Sequence, residues 1–123
     1  HFKNRTYDPS KKDKKNFLLQ CNQHKPREPL KHPIRLGLLF YMKRPKSHYR
    51  SGKYKDIRKT SSPDYCEYKP DLSNLIKFVE DALQGPDGFY LDDCQIVEIK
   101  AEKHYATKSE LPKTVVMIDK YED

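Results

Sequence analysis

Between residues 69 and 100, in the run KPDLSNLIKFVEDALQGPDGFYLDDCQIVEIK, acids and one lysine stand where they could do chemistry on a phosphate. Asp71 opens what reads as an amphipathic helix, and Lys77 follows about one and a half turns later. Asp92 and Asp93 come just before or within a β-type run. Magnesium prefers oxygen ligands and keeps several waters, so roughly one to three carboxylates plus a substrate phosphate hold it. The bound ion lowers the pKa of a water and neutralises charge building on the phosphate. Asp71 and Asp93 are the leading ligands on this reading, with Asp92 as a third. Lys77 would answer charge on the phosphate or the leaving oxygen. Each residue also has a blander role. Asp71 could cap the helix, Asp92-Asp93 could be turn residues, and Lys77 could be solvated and paired with Asp81 at i+4.

The surrounding chain is strongly basic, and unevenly so. Residues 1–60 carry 18 Lys/Arg against 4 Asp/Glu, whereas residues 61–123 carry 7 against 14. A polyanion gripped by the first half and presented to acids in the second would use this segregation. Residues 43–59 concentrate the effect, with eight Lys/Arg, one acid (Asp56) and His48, Tyr49 and Tyr54 interleaved. With neither helical nor strand period, this stretch reads as a flexible basic loop. Lys43, Arg44, Lys46, Arg50, Lys53 and Lys55, joined by Lys69, would meet phosphates, and a tyrosine could lie against an unstacked base. The alternative is a solvated loop without a partner.

Composition limits what can position these groups. The 123 residues suggest one domain, 1–123, with one modest core. Leu, Ile, Val and Phe make up about 21% of the chain, little above the range of disordered, highly charged sequences. A second copy of the chain is therefore the expected supporting surface. The sequence begins at His1, which suggests a processed or trimmed N-terminus, and no secretory signal is evident. No apolar run approaches the roughly 20 residues needed to cross a bilayer. Cys21, Cys66 and Cys94 are widely spaced and form no C-x-x-C pair, so reduced thiols in an intracellular protein are expected.

Periodicity supplies the elements. Residues 1–7 give no clear element. Asp8 and Pro9 suit the start of a helix running through KKDKKNFLLQC, with Phe17, Leu18 and Cys21 on one side. Pro26, Pro29 and Pro33 mark residues 22–33 as a loop. Residues 34–42 alternate as a central strand with both faces covered. From Asn74, the residues Leu75, Ile76, Val79, Ala82 and Leu83 share one helical arc and Asn74, Lys77 and Asp81 the other, until Gly85-Pro86 stops the helix. For Asp93 to reach Asp71, residues 85–92 must run back along this helix, with 89–91 beginning the next strand. Carboxyls more than about 10 Å apart could not share a cation. Val97, Ile99, Ala101 and Tyr105 continue that strand, and residues 115–118 form a last one after a turn at 107–112. The expected fold is α+β, a small mixed or largely antiparallel sheet of three or more strands packed with two helices.

At residues 69–95 the sequence resembles the RusA-type Holliday junction resolvases. Their signature is D-L-D-N-L-x-K, then D-A-L, a glycine with an aromatic, and D-D-x-Q. Here it reads Asp71-Leu72-Ser73-Asn74-Leu75-Ile76-Lys77, Asp81-Ala82-Leu83, Gly88-Phe89 and Asp92-Asp93-Cys94-Gln95. The runs at 42–49 and 6–15 are also similar to phage and related members. The resemblance implies a homodimeric, magnesium-dependent endonuclease, with Mn2+ a possible substitute, making paired symmetric cuts across a four-way DNA junction. It places essential carboxylates at Asp71, Ser73 and Asp93 and the catalytic lysine at Lys77, and implies that the family's usual N-terminal strand is missing ahead of His1. Ser73 stands where the family carries its second aspartate, which implies weaker magnesium binding and much reduced cleavage with less effect on junction binding. A non-catalytic branched-DNA-binding protein and a general single-stranded nucleic-acid binder are the alternatives. The expected setting is intracellular: the cytoplasm of a bacterial or phage-infected host, or the DNA compartment of a eukaryotic or viral host. The histidines His24, His32, His48 and His104 read as surface positions.

Overall fold

A computed structural model of the chain describes residues 2–4 and 8–122. The strands are β1 (Phe2–Asn4), β2 (Ile34–Met42), β3 (Ile96–Tyr105) and β4 (Lys113–Lys120), and the helices α1 (Lys14–Cys21) and α2 (Leu72–Leu83). They form one mixed sheet in the order β1-β4-β2-β3, with both helices packed beside it. The α+β expectation is met. The opening segment, which gave no clear element in sequence, contains β1, and Phe2–Asn4 pairs antiparallel with β4. Residues 1 and 5–7 of the opening segment, and the Tyr7 end of the expected first helix, lie outside the described residues.

Strand β2 is central, as its sequence predicts. Its alternation of Ile34, Leu36, Leu38, Phe40 and Met42 drives one face into the core, and the residues between are half-buried on the other. It runs antiparallel to β4 and parallel to β3. The parallel pairing requires a crossover, which residues 43–95 supply with α2. Leu75, Val79, Ala82 and Leu83 of α2 and Phe17 and Cys21 of α1 cover the β2 face, with the Phe17 and Phe78 rings 5.7 Å apart. Among the described residues, 16 buried apolar side chains make one continuous core because α1, α2 and the sheet share it.

Two local expectations need correction. Helix α1 begins at Lys14, not in the Asp8-Pro9 turn. The Asp8 carboxylate is taken by the Ser10 N–H and hydroxyl (2.9 and 2.8 Å), whereas Asp13 accepts the Asn16 N–H and caps the helix. Residues 89–91 do not begin a strand either. Tyr90 makes single bridges to Leu30 and Gln84, and a 3-10 turn over Asp93–Gln95 intervenes before β3. Gln95 holds that turn by donating to the carbonyls of Leu30 and His32. The chain leaves α2 through Gly85 at φ 110°, and a side chain on Gly88 would run into the Leu83 carbonyl.

Candidate active site

Asp71 occupies the N-cap position of α2, yet its side chain accepts no hydrogen bond there. Its backbone carbonyl takes the N–H groups of Asn74 and Leu75 instead. The carboxylate is therefore exposed and not engaged in capping. Ser73 and Asn74 follow in the first turn and are exposed, as is Lys77 a turn later. Lys77 forms no ion pair among the described residues, and the expected i+4 partner, Asp81, is held by Lys14 of α1 at 3.5 Å. Lys11, Lys12 and Lys14 face Asn74, Lys77 and Asp81 across a concavity of about 290 Å³.

Asp92 and Asp93 have different surroundings. The Asp92 carboxylate accepts the Cys94 N–H, and the Gln95 side chain returns to the N–H groups of Leu91 and Asp92. This capping box is the structural role that a turn ahead of a strand invites. The Cys94 N–H holds the Asp92 carboxyl below its usual range. Asp93 is half-buried, and its N–H donates to the Gln84 side chain at 3.2 Å. Beside it is a residue that sequence reasoning passed over, Glu80. Burial first, then the charges of Asp93 and Asp81, push the Glu80 carboxyl up, and Lys77 opposes them. The signal was available, since Glu80 falls three residues after Lys77 and seven after Ser73, on one helical stripe. Tyr90 braces this end, its buried hydroxyl donating to the Glu80 carbonyl at 2.9 Å.

The two leading acids do not meet within one chain. Asp71 starts α2, and Asp93 is tied to Gln84 just past its last residue. The 12-residue helix puts about 18 Å between those ends. Strand β3 confirms the polarity: it leaves Asp93 at one end and brings Lys103 to the carbonyls of Tyr68 and Pro70 at the other. Among the described residues, no three His, Cys, Asp or Glu side chains gather in a way that could hold a metal. A single chain thus does not fit a cation shared by Asp71, Asp92 and Asp93, because the crossover helix lies lengthwise between them.

The basic stretch is more ordered than its sequence suggests. Lys46–His48 and Gly52–Tyr54 form 3-10 turns, and Tyr49 bridges Arg58. The N–H groups of Arg50 and Lys59 bond the carbonyls of Ile57 and His48, and Arg58 pairs with Asp64 at 2.9 Å. Lys43, Lys46, Arg50, Lys53, Lys55 and Lys69 are exposed, whereas Arg44, His48 and Tyr49 are buried. Tyr49 is therefore not free to stack on a base; Tyr54, Tyr65 and Tyr68 are the exposed rings of this region. His48 is also not the surface histidine expected. Lys108, from the turn after β3, crosses to place its ammonium 4.4 Å from the Tyr49 ring centre, which no local pattern could reveal.

His48 carries a pH prediction. Its Nδ1 lies 3.3 Å from Arg44 Nη1, and a guanidinium can only donate, so the imidazole is neutral with its proton on Nε2. Burial, then the charges of Arg44, Arg58 and Lys59, lower its pKa from the ordinary 6.5, and Tyr105 packs edge-on 5.5 Å away. Because the folded value lies below the unfolded one, this contribution is complete above pH 6.5 and is lost as pH falls toward the folded value. Acidification below pH 6.5 is expected to loosen the basic loop as His48 takes up its proton. The Arg50 and Lys59 amides should then exchange faster than the pH dependence of intrinsic exchange allows. A His48 titration midpoint at or above 6.5 by NMR would contradict this.

A family model for the endodeoxyribonuclease RusA matches residues 1–119. The chain is also 34% identical over 119 residues to "Uncharacterized protein YqaN" of Bacillus subtilis (strain 168), covering 90% of this chain and 75% of that protein. Among the described residues, no helix is long and apolar enough to cross a membrane.

Proposed function

This chain belongs to the RusA endodeoxyribonuclease family, and on that premise we propose that it is a homodimeric, divalent-metal-dependent endonuclease of four-way DNA junctions. The observation that carries the reading is the state of Asp71 and Lys77. A carboxylate that makes no capping bond and an ammonium that forms no ion pair with any described residue sit on one helix, at the margin of a lysine-lined concavity. Solvated groups held on a rigid element cost little to redirect toward a ligand.

The separation of Asp71 from Asp93 supports a two-copy site. In a two-fold dimer that sets α2 antiparallel to its copy, the start of one helix comes beside the end of the other. Asp71 of each copy then stands near Asp93 and Glu80 of its partner, giving two equivalent sites. When bound, a divalent cation would supply an activated water and charge neutralisation at the phosphate. Lys77 balances phosphate charge, Asp93 contributes its carboxylate, and Glu80 holds a proton to higher pH than an ordinary carboxyl. Lys43, Lys46, Arg50, Lys53, Lys55 and Lys69 position the backbone by charge. A two-fold pair of sites matches the symmetry of a four-way junction, which must be cut twice to release two duplexes.

Ser73 favours a second reading, a branched-DNA binder with little or no cleavage. One experiment separates the readings: gel shifts with a four-way junction, plain duplex and single strand, followed by addition of Mg2+ or Mn2+. We expect junction selectivity without metal and paired, symmetric cuts with it. Selective binding with uncut strands in either metal would leave the non-catalytic reading. Equal affinity for all three DNAs would remove both.

A further inference from the structure

Arg44 differs from every other cation of the basic loop. It is only 8% exposed, with its guanidinium stacked 4.1 Å from the Tyr105 ring centre. Its Nη1 donates to the Pro63 carbonyl at 2.6 Å and to His48 Nδ1 at 3.3 Å. Nε and Nη2 make no hydrogen bond to any described residue, and no carboxylate of a described residue lies within ion-pair distance. A buried cation without a counter-ion is costly. The cost is reasonable where the free edge serves an anion, and Arg44 lines a cavity of about 320 Å³. Lys43, Lys46 and Lys108 stand around that cavity, and Tyr49 and Thr107 line it. Among the described residues the acid on its wall is Glu110, and it is already engaged. Lys113 and Thr107 hold its carboxyl down to about 2, with Lys113 pairing at 2.9 Å.

We propose that this cavity is a seat for a single phosphodiester of the DNA backbone. The phosphate is forked by Nε and Nη2 of Arg44 and flanked by Lys43, Lys46 and Lys108. A planar guanidinium edge presents two parallel donors to a tetrahedral oxyanion, which an ammonium cannot do. Burial against Tyr105 and the Pro63 carbonyl fixes the direction of that edge in advance, so little side-chain entropy remains to be lost on binding. The seat lies at the carboxyl ends of the parallel strands β2 and β3, where ligands of α/β units commonly bind. It joins the basic first half of the chain to Lys108 from the acidic second half. The seat rests on the DNA-binding reading above and adds a defined contact to it.

The test combines binding and spectroscopy on the full chain. Four-way junction affinity is measured across salt concentrations for wild type, Lys108→Ala and Arg44→Lys. Lys108→Ala should weaken binding several-fold and reduce the logarithmic salt slope by about 1. Arg44→Lys should weaken binding about 10-fold while keeping most of the slope, because charge stays and the fork is lost. In wild type, the Arg44 Nε–H resonance should shift on adding DNA, and also on adding inorganic phosphate but not chloride at equal ionic strength. The phosphate and Lys108→Ala measurements do not depend on Arg44→Lys folding. Salt-dependent wild-type binding with Lys108→Ala unchanged and the Nε–H resonance unmoved overturns the seat and leaves the DNA reading intact. Wild type that ignores DNA while its Nε–H responds to phosphate overturns the DNA reading and the DNA occupant, and shows a phosphate site of another kind.

Discussion

Ser73→Asp is expected to raise metal-dependent cleavage of a four-way junction about 100-fold, the size of effect seen when one charge-stabilising group is restored to a catalytic centre. Ser73 is the second residue of α2, two positions after the uncommitted Asp71 carboxylate. A hydroxyl there is neutral, so the replacement adds a full negative charge and a better oxygen ligand. The fold should tolerate it. The position is exposed, and an acid in a first helical turn interacts favourably with the helix dipole by about 0.3–1 kcal/mol. Junction affinity without metal should change little, since the lysines proposed to grip the backbone are elsewhere. Single-turnover cleavage over a range of Mg2+ and Mn2+ concentrations reads the effect, which should include half-activation at lower metal. An unchanged rate at every concentration would take this position out of the site.

The second large effect concerns which copy supplies which acid. In the Ser73→Asp background, Asp71→Asn and Asp93→Asn should each lose at least about 100-fold in cleavage while still binding the junction. Mixing the two inactive proteins should then restore nicking. A composite site takes Asp71 from one copy and Asp93 from the other. Each mixed dimer therefore holds one site with both changes and one with neither. Random exchange makes half the dimers mixed, so about a quarter of the parental sites return. Those dimers nick the junction without resolving it, because the opposite site is silent. A site formed within one chain gives no recovery, since every chain carries a lesion. Light scattering showing only monomer at the assay concentration would also defeat the two-copy arrangement.

Some of this molecule was legible in its sequence for a physical reason. The periods that mark β2 and α2 are local. Ile34, Leu36, Leu38, Phe40 and Met42 must alternate wherever the strand sits, and Leu75, Val79, Ala82 and Leu83 must share a stripe on any partner. The DLSNLIK run was equally visible, because a helix start and its first turns occupy adjacent positions in the chain. Less legible were features that two competing side chains decide. Asp8 and Asp13 are both good caps, and Ser10 bonding to Asp8 left Asp13 to start α1.

The sequence by itself determined the helix and strand periods, the gathering of cations in residues 1–60 and the residues that make this chain similar to RusA. Only the tertiary structure decided that β3 runs parallel to β2, with α2 lengthwise between Asp71 and Asp93. It also buried Arg44 on Tyr105 and carried Lys108 across to Tyr49. The reason is range. Periodicity and capping act over a few residues, whereas these arrangements follow from burying one shared core among segments tens of residues apart. A carboxylate's neighbours are fixed by that packing and not by its position in the chain.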